Sequence, residues 1–99
     1  MPESSPKQVA VNYTKLSTRD RRKVREAYVD DQKGMCMYCK GPLLEEPSAH
    51  VLSKKINWNL FPKFFMNHPV HLQHCHKTGM TEGAVHAYCN AVLWQYEGR

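Results

Sequence analysis

The segment VHLQHCHKTGMTEGAVHAYCNAVLWQYEG, residues 70–98, decides the fold. Its first seven residues alternate apolar and polar side chains, as a β-strand with one buried face does. The next four supply turn chemistry, and residues 81–85 return as a second strand. A helix then begins at His86 or Ala87 and ends at Gly98, because glycine commonly terminates helices. The pattern predicts a hairpin followed by a helix, which is a compact unit able to hold a metal.

Three cysteines and a histidine have the spacing of a structural zinc site. Cys36 and Cys39 are separated by two residues in a tight knuckle over residues 34–42. His86 and Cys89 have the same separation where the second strand meets the helix. Three thiolates and one imidazole form a common tetrahedral zinc set, and each pair can direct both side chains at one ion. The alternative is that the cysteines are buried thiols and that His86 lies at the surface.

A basic helix is predicted ahead of the knuckle. Residues 1–16 are polar and contain prolines, which predicts a flexible arm. Ser17 or Thr18 then caps a helix that runs to about Lys33, before Gly34. Its first half carries five cationic residues, Arg19, Arg21, Arg22, Lys23 and Arg25. They form either a solvated face or a surface that lies along a phosphate backbone.

The connector over residues 43–69 is rich in apolar residues but has little periodicity. We expect these residues mostly to fill a small core around the knuckle. Trp58, Phe64 and Phe65 are accordingly interpreted as core residues rather than as platforms for stacked bases. Residues 17–99 are predicted to form a single domain.

Composition limits the class of protein. Ninety-nine residues, 41% of them hydrophobic, suffice for one small domain whose core gains from a structural ion. Lys and Arg number 14 against 9 Asp and Glu, and this net charge of +5 favours an anionic partner such as nucleic acid. The apolar runs are far shorter than the ~20 residues of a membrane-spanning helix. With no secretory signal, we expect a cytoplasmic protein without a membrane partner, whose reduced thiols favour a metal over disulfides.

Four histidines and one cysteine lie between residues 68 and 76. His74 is predicted to lie opposite the first turn of the last helix, which carries Asn90. An imidazole that faces an amide oxygen across ~5–8 Å is a suitable place for a hydrated divalent cation and a scissile phosphate. His68 and His71 are interpreted as surface or hydrogen-bonded side chains.

Residues 72–79, LQHCHKTG, followed by residues 82–90, EGAVHAYCN, resemble the signature of phage HNH nucleases related to recombination endonuclease VII. Those enzymes carry a ββα-metal (His-Me finger) core beside a zinc knuckle. The resemblance is detailed over residues 70–94. It implies an α+β fold, namely a small zinc-stapled ββα-metal domain with an N-terminal basic helix, in which residues 70–97 form the ββα core.

The resemblance also implies roles for individual residues. His74 matches the general base that deprotonates water, and Asn90 matches a catalytic residue that ligates the catalytic Mg²⁺ or Mn²⁺. Gln73 stands where the family has an Asp or His that binds this ion; the alternative is that Gln73 points away and bonds to the neighbouring strand. The residues that correspond to zinc ligands are Cys36, Cys39 and Cys89, with His86 in place of a family cysteine.

The function implied by the resemblance is metal-dependent hydrolysis of phosphodiester bonds in duplex or branched DNA. The enzyme would be phage-encoded and act in the host cytoplasm as a monomer or homodimer, with the basic helix and Lys77 on DNA phosphates. The neutral amide of Gln73 predicts a high metal requirement. The competing class is a zinc-stapled DNA-binding module with weak or no cleavage activity. The helix and knuckle fit both classes, whereas His74 and Asn90 favour the enzyme.

Overall fold

The computed structural model describes residues 8–98, which form an α+β fold. The strands are β1 (Val70–His74) and β2 (Thr81–His86), and the helices are α1 (Thr18–Asp31), α2 (Ala49–Leu52) and α3 (Ala87–Glu97). Single 3₁₀ turns lie at Tyr13–Lys15, Trp58–Leu60 and Phe65–Asn67. None of the helices within residues 8–98 is long and apolar enough to span a membrane.

The predicted hairpin followed by a helix is confirmed, and its two strands pair antiparallel. Gln73 pairs with Gly83, and the register becomes irregular immediately after Gln73. β1 ends before the predicted residue 76 because the backbone turns there. The N–H of Gly79 donates to the carbonyl of Cys75 at 2.7 Å, which closes the turn.

Helix α3 follows β2 directly and supplies much of the core. Its buried side chains are Ala87, Cys89, Ala91, Val92 and Leu93. They pack with Val51 of α2 and with the buried face of the hairpin. The helix ends as predicted at Gly98, which has a left-handed φ of 69°. Because α3 begins where β2 ends, its first turn lies beside the knuckle and beside β1.

Helix α1 begins and ends with local signals that the sequence carries. The side-chain oxygen of Ser17 accepts a hydrogen bond from the N–H of Asp20 at 3.1 Å, which caps the first turn. The helix ends at Asp31, slightly before the predicted Lys33. Lys33 and Gly34 both adopt left-handed backbone conformations, with φ of 57° and 77°, and these stop the helix.

Side-chain contacts fix α1 against the hairpin. Nε2 of Gln32 donates to the carbonyl of Ala84, and Oε1 accepts from the N–H of Ala84, both at 2.9 Å. The hydroxyls of Tyr28 and Thr81 lie 2.9 Å apart. A Cβ at Gly83 would lie 2.8 Å from Oε1 of Gln32, so this close approach requires glycine. The arginines of α1 are therefore held at a defined position relative to β1.

The N-terminal segment differs from the flexible arm expected over residues 1–16. Residues 1–7 lie outside the described residues, but Val11, Asn12 and Tyr13 contact the hairpin and its turn. The N–H of Tyr13 donates to the carbonyl of Gly79, and the N–H of Thr81 donates to the carbonyl of Val11, both at 2.8 Å. These bonds and the partly buried side chain of Tyr13 hold the segment along the turn between the strands.

The prediction that the apolar connector mostly fills the core is wrong for its exposed part. Leu43 and Val51 are buried in the core, but the exposed residues are Leu44, Leu52, Trp58, Leu60, Phe64 and Met66. Trp58 is 45% exposed and Phe64 is 68% exposed. The core is already filled by α3, the hairpin and the knuckle, so the irregular segment before β1 lies outside it. Phe65 is only partly buried and packs against Phe61, with ring centroids 4.7 Å apart.

Candidate metal centre and adjoining groove

The four predicted zinc ligands lie together where the knuckle meets the start of α3. The ligand atoms of Cys36, Cys39, His86 and Cys89 all lie within 4.8 Å of one another. Nδ1 of His86 is 3.5 Å from Sγ of Cys39 and 3.6 Å from Sγ of Cys89. Tetrahedral zinc, with Zn–S of ~2.3 Å and Zn–N of ~2.0–2.1 Å, would give a nitrogen–sulfur edge of about 3.5 Å. The donor atoms therefore fit one tetrahedral metal ion such as zinc.

Backbone carbonyls orient the imidazole of His86. Nε2 lies 2.9 Å from the carbonyl oxygens of both Pro42 and Glu45, so Nε2 carries the proton and donates. Nδ1 is then left with a lone pair directed at the sulfur atoms. Hydrogen bonds of this kind fix the tautomer and orientation of metal-binding histidines. Because His86 is buried, the alternative of a surface histidine does not hold.

A hydrogen bond with Cys89 and the knuckle backbone together stabilise a thiolate at Cys36. A hydrogen bond with the thiol of Cys89 is the largest cause that lowers the pKa of Cys36, to about 4, and backbone N–H groups add to it. The N–H groups of Tyr38 and Cys39 lie 3.4 and 3.5 Å from its Sγ. The same bond and burial raise the pKa of Cys89. The pair thus shares one proton, and a divalent cation would supply the charge that lets all the thiols deprotonate.

A groove of about 620 Å³ is bounded by α1, β1, the first turn of α3 and the segment before β1. Its lining residues are Tyr13, Thr18, Arg21, Arg25, Leu60, Phe61, Pro62, Phe65, His68, Val70, His71, Leu72, His74, His76, Asn90 and Trp94. One part is cationic and another is aromatic. No aspartate or glutamate lines the groove within the described part of the chain.

His74 lies in this groove at the end of β1. Its imidazole stacks on the ring of Tyr13, with centroids 3.9 Å apart and 8° between the planes. The guanidinium of Arg21 lies 4.0 Å from the centroid of the same tyrosine ring. Burial, followed by the charges of His76 and Arg21, lowers the pKa of His74 from its ordinary value of 6.5. His74 is therefore mostly neutral at pH 7, which is the state that a general base requires.

Asn90 lines the same groove as His74 and is also hydrogen-bonded to His71, a contact that the sequence does not predict. The sequence predicts that Asn90 faces His74; in addition, its Nδ2 lies 3.0 Å from Nδ1 of His71 and donates to it. Val70 pairs with His86, so residue 71 lies beside the first turn of α3. Burial is the main cause that lowers the pKa of His71, which leaves the ring neutral and able to accept. The interpretation of His71 as a hydrogen-bonded side chain is confirmed, but its link to Asn90 was missed.

Gln73 is not brought into the groove. Its side chain is 1% exposed, and its Nε2 donates to the carbonyl of His74 at 3.0 Å. Nε2 also lies 3.5 Å from a carboxylate oxygen of Glu82. Gln73 does not line the groove, although Leu72 and His74 on either side of it do. The structure therefore favours the alternative in which Gln73 bonds within the hairpin, rather than the predicted position beside Asn90.

The cationic residues of α1 divide between two faces. Arg21 and Arg25, spaced four residues apart, line the groove. Nε of Arg21 is buried and has no hydrogen-bond partner among residues 8–98. Arg22 instead pairs with Glu26, with Nε and Oε2 3.3 Å apart on the exposed side of the helix. The remaining predicted DNA contacts are exposed and lie outside the groove lining: Arg19, Lys23 and Lys77.

No protein-family model, curated protein or solved structure matches this chain. The two candidate sites are therefore identified from the arrangement of their residues in this structure. One is a Cys₃His donor set that fits a tetrahedral ion. The other is a groove that combines arginines, aromatic rings and a histidine with a lowered pKa.

Proposed function

We propose that this protein is a DNA endonuclease of the HNH type, in which a zinc-stapled hairpin and helix hold His74 as the general base. The observation that supports this most strongly is that His74 and the amide of Asn90 line one groove together with Arg21 and Arg25. No carboxylate of the described residues lines that groove. A cationic groove attracts DNA phosphates, and the histidine offers a proton acceptor beside them.

The proposed reaction is hydrolysis of a phosphodiester bond. His74 takes a proton from water while the water oxygen forms a bond to phosphorus and the bond from phosphorus to the 3′ oxygen breaks. The 3′ oxygen leaves with the bonding electron pair and takes a proton from solvent water, and the protonated His74 releases its proton to solvent. Arg21 and Arg25 remain charged and bind the phosphate oxygens as negative charge accumulates on them. Among the described contacts, Oδ1 of Asn90 accepts no hydrogen bond, so it is available to the substrate. Tyr13 holds the plane of the His74 ring.

The two predicted metals differ in how well the residues fit them. The Cys₃His set fits zinc, which would tie the knuckle to α3 and add to the stability of a small core. Mg²⁺ prefers carboxylate oxygens, but the groove lining within residues 8–98 has none and Gln73 lies outside it. The groove does not fit a tightly held Mg²⁺. The proposed steps accordingly use protein side chains alone.

A zinc-stapled DNA-binding module without cleavage activity is the second candidate. The burial of Gln73, together with a groove that lacks carboxylates among the described residues, favours it. Arg21 and Arg25 would serve binding as well as they would serve cleavage. The position of His74, neutral and open to the groove, favours the enzyme.

Incubation with supercoiled plasmid separates the two candidates. The purified zinc-loaded protein would be tested alone and with added Mg²⁺ or Mn²⁺ at millimolar concentration. The proposed endonuclease yields nicked or linear plasmid. A protein that shifts plasmid or single-stranded DNA on a native gel and cuts neither under any condition is the binding module.

A further inference from the structure

A row of aromatic rings forms one part of the groove. Trp94 meets Phe61 edge to face, with centroids 5.3 Å apart, and Phe61 meets Phe65 at 4.7 Å. Phe65 in turn meets the imidazole of His71 at 4.6 Å. Trp94 is 39% exposed although it projects from the helix that supplies the core. The row thus runs from a solvent-accessible indole toward the polar groups at the first turn of α3.

The rest of the groove has the charge of a phosphate-binding surface. Arg21 and Arg25 contribute two guanidinium groups, and Nε of Arg21 is buried without a hydrogen-bond partner in the described part of the chain. No acidic side chain of the described residues lines the groove to repel an anion. A ligand must therefore combine negative charge with flat apolar surface.

We infer that the groove takes single-stranded DNA, with unpaired bases stacked on Trp94 and Phe61 and with phosphates at Arg21 and Arg25. In a duplex the base faces are covered by neighbouring base pairs, and the aromatic row would have no partner there. Single-stranded sites combine a cationic track with exposed aromatic rings, as this groove does. This assignment rests on the proposed function, because it names the substrate class of the proposed nuclease. Binding of single-stranded DNA is nevertheless measurable without cleavage.

The two tryptophans give a direct test. Trp58 does not line the groove and is 45% exposed, but its ring lies 5.8 Å from Phe61, so it is replaced to isolate the signal of Trp94. In a Trp58→Phe protein the remaining fluorescence comes from Trp94, and we expect a thymidine oligonucleotide of about twelve nucleotides to quench it. In a Trp94→Phe protein the same oligonucleotide should quench Trp58, which does not line the groove, less than it quenches Trp94. A hairpin duplex of equal charge should quench neither.

Affinity measured by fluorescence anisotropy gives a second readout with labelled oligonucleotides and no added divalent metal. Stacking on one ring predicts that Trp94→Leu weakens single-strand binding by about 5- to 100-fold. Phe64→Leu, at a 68% exposed ring outside the groove lining, is the control and should leave binding unchanged. Zinc content and circular dichroism of each variant report whether it is folded. If Trp94→Leu fails to fold, the quenching of the Trp58→Phe protein decides alone.

The outcomes for this inference and for the proposed nuclease are separable. Equal affinity for duplex and single strand, with no quenching of Trp94, overturns the inference even if the protein cuts plasmid. Preference for single-stranded RNA over DNA, or binding of an apolar peptide in place of DNA, overturns it as well. Quenching of Trp94 by single-stranded DNA, without cleavage of any DNA, supports the inference and contradicts the proposed nuclease activity.

Discussion

The ring of Tyr13 lies parallel to the imidazole of His74, with centroids 3.9 Å apart. Tyr13 belongs to a segment that is hydrogen-bonded along the hairpin turn, so the stack joins the N-terminal part of the chain to the end of β1. The guanidinium of Arg21 lies 4.0 Å from the centroid of the same tyrosine ring. A histidine held in this way has little freedom to rotate away from a bound phosphate.

Tyr13 is therefore expected to be a positioning residue for His74. Tyr13→Leu should lower kcat by about 10- to 100-fold with little change in KM, because the imidazole loses its fixed plane. Tyr13→Phe keeps the ring and should restore the rate. Single-turnover and steady-state cleavage assays measure both effects. Equal rates for Tyr13→Leu and wild type would show that the stack has no part in cleavage.

The pH profile follows from the charges around His74. Burial, His76 and Arg21 lower its pKa from 6.5, while Glu82 acts in the opposite direction. A base with a lowered pKa stays neutral to lower pH, so the cleavage rate should be flat above pH 7 and fall only below 6.5. Removing the positive charge in Arg21→Gln raises this pKa and moves the acid limb to higher pH. Glu82→Gln should move the acid limb to lower pH. A shift of the acid limb in the same direction in both variants would contradict the assignment of His74 as the base.

The two faces of α1 should differ in their effect on DNA binding. The double substitution Arg21→Gln and Arg25→Gln removes two charges from the groove. We expect it to weaken binding and to reduce the slope of log K against log salt by up to about two. Arg22→Gln with Lys23→Gln removes the same charge from outside the groove and is the matched control. Equal losses in the two double variants would indicate a diffuse electrostatic effect instead of a binding groove.

Zinc should be required for the folded state. We expect about one zinc per chain by elemental analysis, and Cys39→Ser or Cys89→Ser should lose both the metal and the cooperative thermal transition. Cys75→Ser is the control, since Cys75 lies outside the cluster and its loss should leave zinc content unchanged. Folded wild-type protein free of zinc after purification in the presence of zinc would remove this claim.

The parts of the structure that the sequence predicts are those set by local spacing. Two residues separate Cys36 from Cys39 and His86 from Cys89, and this spacing lets each pair bind one ion. The strands and α3 follow from the alternation of apolar and polar residues, the turn residues and Gly98. These features involve neighbours in the chain, so the residue pattern contains them.

Other features depend on how distant segments pack. The stack of Tyr13 on His74 and the bond from Asn90 to His71 join residues whose proximity no local pattern encodes. The exposure of Trp58 follows from α3 and the hairpin having already filled the core.

The rate of cleavage by His74→Ala, on whichever of plasmid and single-stranded DNA the wild type cuts, tests the central claim most directly. The variant would be compared with wild type at equal zinc content and equal DNA affinity, which the substitution should leave unchanged because His74 is outside the zinc cluster. Loss of the general base predicts a fall in kcat of about 100-fold or more. Cleavage by His74→Ala at the wild-type rate would contradict the assignment of His74 as the base.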